Sequence, residues 1–276
     1  MNQRQKAIAF RKLHARPGAF VIPNPWDAGS ARLLEHLGFS ALATTSAGLA
    51  FSMARPDGAN AVSRDEALAN AAEIVGATSL PVSADLEGGF GVSPETCAET
   101  IRLAAKTGLV GGSIEDATGF SGNPIFAIEP AVERVRAAAE AAKALDFPFM
   151  LTARAENFLH GRPDLKDTIR RLQAFQEAGA DVLYAPGLRT ADDIRAVTSS
   201  VDRPVNVVMG LQGVRLSVAE LSALGVRRIS VGGALARAAL GALLRAATEI
   251  RDRGTFEFAA DAVPHAEIDG IFSRHS

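Results

Sequence analysis

The sequence has a single cysteine, Cys97, in 276 residues. One thiol cannot build an internal disulfide framework, and a chain of this length without disulfides is typical of a reducing compartment. Cys97 lies inside a predicted helix, where we expect it to pack in the core rather than to act as a nucleophile. The cysteine content therefore predicts a cytoplasmic protein.

Long apolar runs and a surplus of positive charge are also missing. The formal net charge is −2, so the chain lacks the basic excess that binds a phosphate backbone, and we expect no nucleic-acid partner. The first 18 residues mix polar and basic residues with apolar ones, unlike a secretory signal. No run approaches the length of a membrane span, so we expect no membrane partner.

What the sequence does contain is a repeat of an apolar, strand-like run, a turn and an alanine-rich amphipathic helix. The predicted strands are 19–24, 41–46, 81–85, 111–116, 149–154, 182–186, 204–208 and 228–232. The predicted helices that follow them are 28–37, 63–77, 94–107, 130–145, 164–178, 190–199, 217–224 and 234–252. Eight such units predict a single (β/α)₈ TIM barrel over residues 1–276, with a doubly wound sheet as the alternative.

One segment precedes the repeat, and another extends beyond its last helix. Residues 1–18 predict an N-terminal helix that Pro17 and Gly18 stop. Residues 234–276 hold the last barrel helix and a tail that is too apolar for a solvated end. We expect this C-terminal segment to pack on the barrel or on a neighbouring subunit.

Polar and acidic residues collect where the predicted strands end, which is where the active site of such a barrel lies. In chain order these residues are Asn24, Ser46, Asp85 with Glu87, Glu115 with Asp116, Arg154 with Glu156, and Gly232. The opposite ends of the same strands carry mostly Ala, Val, Phe and Pro. This asymmetry indicates a functional site at the carboxyl ends of the strands.

The strongest local signal is the pair Asp85 and Glu87. Strand alternation places both on the face of Ser83, and two adjacent carboxylates repel each other unless a cation, a proton or water offsets the repulsion. Helix capping is the alternative, but Gly88 and Gly89 separate the acids from the next helix. The pair therefore predicts a metal site or an acid–base site.

Four further residues have to be weighed individually. Alternation turns Glu115 inward, while Asp116 could either act at the site or cap a loop. Arg154 could pair with neighbouring acids or bind a substrate carboxylate with its guanidinium fork. Asn206 is expected to face the barrel interior, where a buried amide needs hydrogen-bond partners.

The residue types at the strand ends exclude other chemistries. All five lysines fall on predicted helices or helix starts, which leaves none for a Schiff base at a strand end. The histidines form no pair at ligand spacing, which argues against a histidine-rich zinc or iron site. A cluster made of carboxylates favours Mg²⁺, with Mn²⁺ as a substitute. Such a cation can polarise a 2-oxo or carboxylate oxygen and stabilise an enolate.

Several motifs, taken in order, resemble the isocitrate lyase / phosphoenolpyruvate mutase superfamily over most of residues 20–210. They are Asn24-Pro25-Trp26-Asp27, Thr45-Ser46-Ala47-Gly48, Asp57, the stretch 83–91, Ser113-Ile114-Glu115-Asp116 and Ala153-Arg154-Ala155-Glu156. The resemblance implies Mg²⁺ bound by Asp85, with Asp57, Glu87 and Glu115 reaching it directly or through water. It also implies a tetramer in which the last barrel helix is exchanged between subunits.

The resemblance further implies a small carboxylate substrate held by Ser46, the amides of Ala47 and Gly48, and Arg154. We include Trp26, Asp27 and Asn206 among the candidate substrate-binding residues. The candidate catalytic residues are Arg154, Ser46, Asp57, Glu115 and Asn123. Asn123 is included because phosphonate-forming members carry an asparagine in the loop after strand 4.

The chain departs from the family pattern in two places. Lyases of the family have a Lys-Lys/Arg-Cys-Gly-His loop after strand 4, where this chain reads Ala-Thr-Gly-Phe-Ser-Gly-Asn-Pro over 117–124. Phosphonate-forming members place a histidine after strand 6, where this chain has Ala185-Pro186-Gly187. Members that decarboxylate oxaloacetate or cleave substituted malates look similar to what remains.

The leading hypothesis is therefore a Mg²⁺-dependent lyase that breaks a carbon–carbon bond next to a carboxylate through a metal-stabilised enolate. The first alternative is phosphorus–carbon chemistry of the phosphoenolpyruvate mutase or phosphonopyruvate hydrolase type. The second is a barrel that binds carboxylates without catalysis.

Overall fold

A computed structural model of the protein describes residues 1–58, 61–210 and 215–273. Within these ranges eight parallel strands form one sheet. The strands are β1 (Phe20–Ile22), β2 (Leu42–Ala43), β3 (Val82–Asp85), β4 (Gly111–Glu115), β5 (Met150–Arg154), β6 (Val182–Tyr184), β7 (Val205–Val208) and β8 (Arg228–Ser230). The strand order is β1-β8-β7-β6-β5-β4-β3-β2, so each strand lies beside its neighbour in sequence and β8 returns to β1.

The remaining gap, between β1 and β2, is bridged by hydrogen bonds just beyond the strand ends. The Ala43 N–H donates to the carbonyl of Pro23 over 3.0 Å. The side chain of Asn24 donates to the carbonyl of Thr44 over 2.9 Å. The sheet is thus a barrel, and the predicted (β/α)₈ fold is confirmed.

Helices surround the barrel. They are α1 (Gln3–Ala15), α2 (Ala28–His36), α3 (Ser46–Ser52), α4 (Arg64–Ala77), α5 (Pro94–Lys106), α6 (Ile128–Lys143), α7 (Leu165–Glu177), α8 (Ala191–Ser199), α9 (Val218–Ala223), α10 (Ala234–Arg253) and α11 (His265–Ser273). Their starts follow from local chemistry: Ser63 and Glu66 form a capping box for α4, and Ser93 caps α5 ahead of Pro94. The bounds of the predicted barrel helices differ from these by at most two residues.

Several strands end earlier than predicted: β4 by one residue, β1, β6 and β8 by two, and β2 by three. The second strand was expected to run to Ser46, but β2 ends at Ala43 and Ser46 begins the short helix α3. Thr45 is the N-cap, since its side chain accepts the N–H of Gly48 over 3.2 Å. The correction matters for function because it replaces a strand end by a helix N-terminus at the mouth of the barrel.

Two buried layers hold the barrel in place. Aliphatic and alanine side chains fill the space between strands and helices, as in Ile101 of α5 and Leu151 of β5. A second cluster closes the amino-terminal end of the barrel, where Phe10 of α1 packs against Phe20 and Met150. Helix α1 therefore covers the floor, and the opposite end is left for the site.

The C-terminal extension has two parts. Helix α10 exposes a row of large apolar side chains, among them Leu240, Leu243 and Leu244. Helix α11, absent from the prediction, packs on α2, and Arg32 donates to the carbonyl of Phe272 over 3.3 Å. The last three residues of the predicted tail lie outside the described residues. None of the described helices is long and apolar enough to cross a membrane.

Candidate active site

Arg154 gathers the acidic residues at the mouth of the barrel. Its three nitrogens each pair with a different carboxylate: Nη1 with Asp85 at 2.9 Å, Nη2 with Glu115 at 3.0 Å and Nε with Glu156 at 2.9 Å. These carboxylates come from the ends of β3, β4 and β5, and the β4–β5 register places Glu115 directly opposite Arg154. The sequence left two roles open for Arg154, ion pairing with neighbouring acids and binding of a substrate carboxylate. The structure shows the ion pairs.

Asp85 is also held from the other side. Its Oδ2 accepts the backbone N–H of Ser46 over 3.3 Å, and its Oδ1 accepts the hydroxyl of Ser113 over 3.4 Å. Ser46 is the first residue of α3, so the positive end of this helix points at the carboxylate. Asp85 therefore stands where a helix terminus, a guanidinium and the acids converge.

The site holds more negative charge than Arg154 balances. Burial, reinforced by the charges of Asp85 and Asp57, raises the pKa of Glu87 to about 7. Burial also raises the pKa of Glu115 well above its usual value, with Arg154 opposing the shift. Burial and Asp85 raise the pKa of Asp57, while a hydrogen bond with Ser46 lowers it. Crowded carboxylates with raised pKa values are a common property of functional sites.

The donor set fits a hard cation in its chemistry. Asp85, Glu87, Glu115 and Asp57 offer oxygen ligands alone, which Mg²⁺ and Mn²⁺ prefer, and their mutual repulsion would be relieved by a divalent ion. Over the described ranges, no three acidic, histidine or cysteine side chains are already close enough to hold an ion between them. A cation at Asp85 would therefore share or replace the Arg154 ion pair, and water would complete its coordination.

The structure separates Glu115 from Asp116. Glu115 faces the acidic cluster, whereas the side chain of Asp116 is buried and turned away from it. Asp116 accepts hydrogen bonds from Arg171 over 2.9 Å and from the N–H of Glu156 over 2.8 Å. Asp116 is thus a structural carboxylate that ties β4 to the end of β5 and to α7.

The loop that carries Glu87 is held by a buried arginine that sequence reasoning missed. Arg134 of α6 donates to the carbonyls of Gly91 over 2.7 Å and Val92 over 2.6 Å, and also to that of Gly88. Glu87 has a φ of 47°, a left-handed conformation that a non-glycine residue keeps when its surroundings impose it. The sequence did contain a signal of this role, because Arg134 occupies a position in the apolar stripe of α6, beside Ala131, Val135 and Ala138.

Two connected cavities meet at the acidic cluster. An outer cleft of about 850 Å³ is lined by Glu87, Glu115 and Arg154 and, toward solvent, by exposed apolar side chains such as Phe120. An inner pocket of about 160 Å³ is lined by Ser46, Ala47, Asp85, Arg154, Tyr184 and Asn206. Ser46, Asp57 and Arg154 line both. A small ligand would thus reach the cluster through the cleft and end in the inner pocket.

Most predicted site residues are therefore brought together, but four are not. Asp27 is exposed and caps α2, and Trp26 is half-buried outside both cavities, where its carbonyl accepts from Asn70 over 2.9 Å. The amide of Gly48 is occupied by Thr45. Ala47, at the second position of α3, has an N–H without an intrahelical acceptor, so it remains suited to bind an anion.

Asn123 is the fourth predicted site residue that the structure does not bring together with the others. It is exposed in a hairpin-like loop in which Ala117 pairs with Ile125 and the Thr118 N–H donates to Pro124 over 2.9 Å. The hydroxyl of Thr118 also donates to the Asn123 carbonyl. The loop places Phe120, not Asn123, along the outer cleft.

Tyr184 is a site residue whose role the sequence did not name. The guanidinium carbon of Arg154 lies 5.1 Å from the centre of its ring, within the range of a cation–π contact. Burial raises the pKa of its hydroxyl, so Tyr184 is a neutral wall of the inner pocket. Its strand position opposite Arg154 in the β5–β6 register accounts for this contact.

Comparisons with known proteins place these features in a family context. The family model for phosphoenolpyruvate phosphomutase matches residues 10–251. A solved structure from Burkholderia cenocepacia, described as a candidate lyase/mutase, is 64% identical, covers 98% of this chain and 96% of its own, and superposes with a TM-score of 0.96. An oxaloacetate decarboxylase from Chromohalobacter salexigens is 30% identical over 91% of this chain and 87% of its own. A phosphonopyruvate hydrolase solved with oxalate and Mg²⁺ is 26% identical, with 99% and 95% coverage and a TM-score of 0.87.

Proposed function

The chain belongs to the phosphoenolpyruvate phosphomutase family, within the isocitrate lyase / phosphoenolpyruvate mutase superfamily, and we propose that it is a Mg²⁺-dependent lyase. The proposed reaction breaks a carbon–carbon bond next to a carboxylate in a small 2-oxo or 2-hydroxy acid of the oxaloacetate or substituted-malate type. The observation that carries this proposal is the convergence of Asp85, Glu87 and Glu115 with Arg154 at two joined cavities. The similarity to a named oxaloacetate decarboxylase supports the same class of substrate.

We assign the cation to the acidic residues. Asp85 would be the principal ligand, with Glu87, Glu115 and Asp57 binding directly or through water, and Mn²⁺ could replace Mg²⁺. When bound, the cation supplies an electrophile that polarises a substrate oxygen and balances the charge that develops as the bond breaks.

The chain's own groups would bind and orient the carboxylate. The N-terminus of α3 offers the Ser46 hydroxyl and the Ala47 N–H to an anion in the inner pocket. Arg154 supplies a bidentate guanidinium from the opposite wall. Since Arg154 now pairs with Asp85 and Glu115, a cation that takes over these carboxylates would free two of its N–H groups for the substrate.

Closure of the outer cleft is the remaining requirement. Phe120 already lines the cleft from the loop that carries Asn123. A movement of this loop toward Glu115 would exclude water and bring Asn123 over the substrate, in the catalytic role expected for it.

Phosphorus–carbon chemistry is the second candidate function. It is favoured by the matching family, which is a phosphomutase, and by the likeness to phosphonopyruvate hydrolase. The Ala185-Pro186-Gly187 sequence after β6 ranks it below the lyase, because phosphonate-forming members resemble one another in a histidine there.

The decisive experiment is a Mg²⁺-supplemented screen of oxaloacetate, alkyl-substituted malates and phosphonopyruvate. Pyruvate formation is followed with a coupled dehydrogenase, and phosphorus products are followed by ³¹P NMR. Turnover of a dicarboxylate that is lost in D85N supports the lyase, and turnover of phosphonopyruvate alone favours the second candidate. Binding of oxalate without turnover of any acid would identify a non-catalytic carboxylate-binding barrel.

We also propose that the exposed face of α10 is covered by a second copy of the chain. Leu243 and Leu244 are 62% and 67% exposed on a helix of 20 residues, which is unusual for leucines that have no partner. The family resemblance implies a tetramer with this helix exchanged between subunits. Light scattering should give a mass above the 28.8 kDa of one chain, and L243R/L244R should reduce it; a monomeric wild-type protein would refute the proposal.

A further inference from the structure

A second buried arginine lies inside the barrel, below the acidic cluster. Arg228 is the first residue of β8 and is 6% exposed. It forms no ion pair with any described acidic residue, and its Nη1 atom has no hydrogen-bond partner in the described part of the chain. Burial lowers the pKa of Arg228 to about 10. A buried cation without a counter-ion is costly, so its position needs an explanation other than stability.

The hydrogen bonds of Arg228 lead toward the inner pocket. Its Nε donates to Oδ1 of Asn206 over 2.9 Å, and its Nη2 donates to Oγ1 of Thr152 over 2.9 Å. Asn206 in turn donates from Nδ2 to Oγ of Ser230 over 3.0 Å. Parallel register links the same row to the site, since Asn206 lies opposite Tyr184 and Tyr184 lies opposite Arg154.

The contact with Arg228 determines which way the Asn206 amide points. A guanidinium has N–H donors and no acceptor, so the atom of Asn206 that faces it must be the carbonyl oxygen. The NH₂ group is then directed away from Arg228, and Ser230 accepts one of its two hydrogens. Asn206 lines the inner pocket together with Asp85 and Arg154. The amide is therefore fixed as a donor group at that pocket.

We propose that Arg228 is a positioning residue that locks Asn206 as a hydrogen-bond donor, so that the inner pocket selects an anionic oxygen of the substrate, as in a carboxylate. The inference rests on the proposed function, because it assumes that a small carboxylic acid occupies this pocket. Without Arg228 the amide can rotate by about 180° and present its carbonyl oxygen, which repels a carboxylate. Arg228 itself also lines the inner pocket, and the role proposed for it is exercised through Asn206.

A merely structural role for Arg228 makes a different prediction. Arg228 connects β8 to β5 through Thr152 and to β7 through Asn206, so its loss could simply loosen the barrel. In that case the melting temperature would fall, but the folded fraction of the variant would bind a carboxylate as the wild type does. Binding affinity and thermal stability together separate the two roles.

The test measures the dissociation constant of oxalate by calorimetry in the presence of Mg²⁺, with thermal unfolding measured in parallel. R228M should weaken oxalate binding by about tenfold or more, because a hydrogen bond to a charged group is lost or replaced by repulsion. R228K keeps a cationic donor to Oδ1 of Asn206 and should restore most of the affinity. T152V removes the other contact of Arg228 and leaves Asn206 untouched, so its affinity should equal that of the wild type.

N206D provides an arm that does not depend on how R228M folds. The introduced carboxylate would keep an acceptor for Arg228 and gain an ion pair with it, but it replaces the donor group at the pocket by an oxygen. We expect a loss of oxalate affinity of about tenfold or more. Wild-type affinity in N206D, or in folded R228M, overturns the inference. Failure of the wild-type protein itself to bind oxalate overturns instead the proposed carboxylate site on which the inference rests.

Discussion

Arg154 and Asp85 face each other across the mouth of the barrel, with Nη1 of the arginine 2.9 Å from Oδ1 of the aspartate. The same carboxylate is the first candidate for a metal ligand, and the same guanidinium is the first candidate for binding a substrate carboxylate. The two roles cannot be exercised while the ion pair is intact. Metal binding and substrate binding are therefore expected to be coupled through this one contact.

The first prediction concerns Asp85. D85N keeps the shape of the side chain and an oxygen acceptor, so the fold should be retained, but it removes the charge that attracts a cation. Mg²⁺ affinity measured by calorimetry should fall by about 100-fold or more. Residues that only support a metal ligand typically cost roughly 10–100-fold in affinity when they are mutated, and the loss of a direct ligand should cost at least as much. The matched control is D116N, which alters a buried acid paired with Arg171 outside the cluster. D116N should lower the melting temperature and leave Mg²⁺ affinity unchanged; equal Mg²⁺ affinity in D85N would refute the metal assignment.

The second prediction is that R154M changes two affinities in opposite directions. Asp85 and Glu115 lose a competing cation, so Mg²⁺ should bind at least as tightly as in the wild type. Oxalate, measured in saturating Mg²⁺, should lose a bidentate charge-assisted contact and bind about 100-fold more weakly. R154K should show an intermediate loss of oxalate, because an ammonium cannot form the fork. A parallel loss of both affinities would indicate that Arg154 only supports the fold of the site.

The periodicity of strands and helices in the sequence was sufficient to predict the fold. The eight apolar runs and the glycine and capping signals between them predicted the barrel, and the strand-end asymmetry predicted at which end the acidic side chains gather. The largest difference was at the second strand. Thr45 can continue a β-run or cap a helix, and the cap prevails because the Ala47-Gly48-Leu49-Ala50 segment behind it can form α3.

Side-chain partners could not be predicted in the same way. Alternation selected Glu115 over Asp116, but the partner that makes Asp116 structural, Arg171, lies 55 residues further along the chain on α7. Arg134 and Arg228 occupy positions where the pattern asks for an apolar residue. Their purpose depends on carbonyls and amides that come close only when distant strands and helices are assembled.

The third prediction concerns the clamp formed by Arg134. R134M removes three hydrogen bonds to the loop of Glu87, which holds left-handed residues at Glu87 and Phe90. We expect the free energy of unfolding in urea to fall by about 2–4 kcal/mol. Mg²⁺ affinity should also fall, by about tenfold, because Glu87 is no longer held at the cluster. The matched control is R136M on the exposed side of the same helix, where neither quantity should change. Undiminished Mg²⁺ affinity in folded R134M would show that Glu87 is positioned without the clamp.

The last prediction concerns pH and the floor of the barrel. His14 is 4% exposed between the rings of Phe10 and Phe20, and burial together with the nearby charge of Arg228 lowers its pKa to about 3. In the unfolded chain the pKa is about 6.5, so between about pH 6.5 and pH 3 the unfolded state binds a proton that the folded state does not. The contribution of His14 to stability is therefore complete above about pH 6.5 and is lost as the pH falls toward 3, at up to about 1.4 kcal/mol per pH unit.

Urea unfolding of the wild type and of H14Q at about pH 7.5, 6, 5 and 4 measures this contribution. H14Q cannot take up a proton, so its free energy of unfolding should decline less steeply below about pH 6.5, and the two curves should converge as the pH falls. The control is H265Q, the same substitution at a largely exposed histidine. Parallel curves for the wild type and H14Q would mean that His14 takes up its proton in the folded protein over the same pH range as in the unfolded chain.

Because Arg228 lies close enough to depress the pKa of His14, R228M should raise that pKa. The free energy of unfolding of an otherwise wild-type chain should then depend less steeply on pH. This links the floor of the barrel to the arginine that orients Asn206.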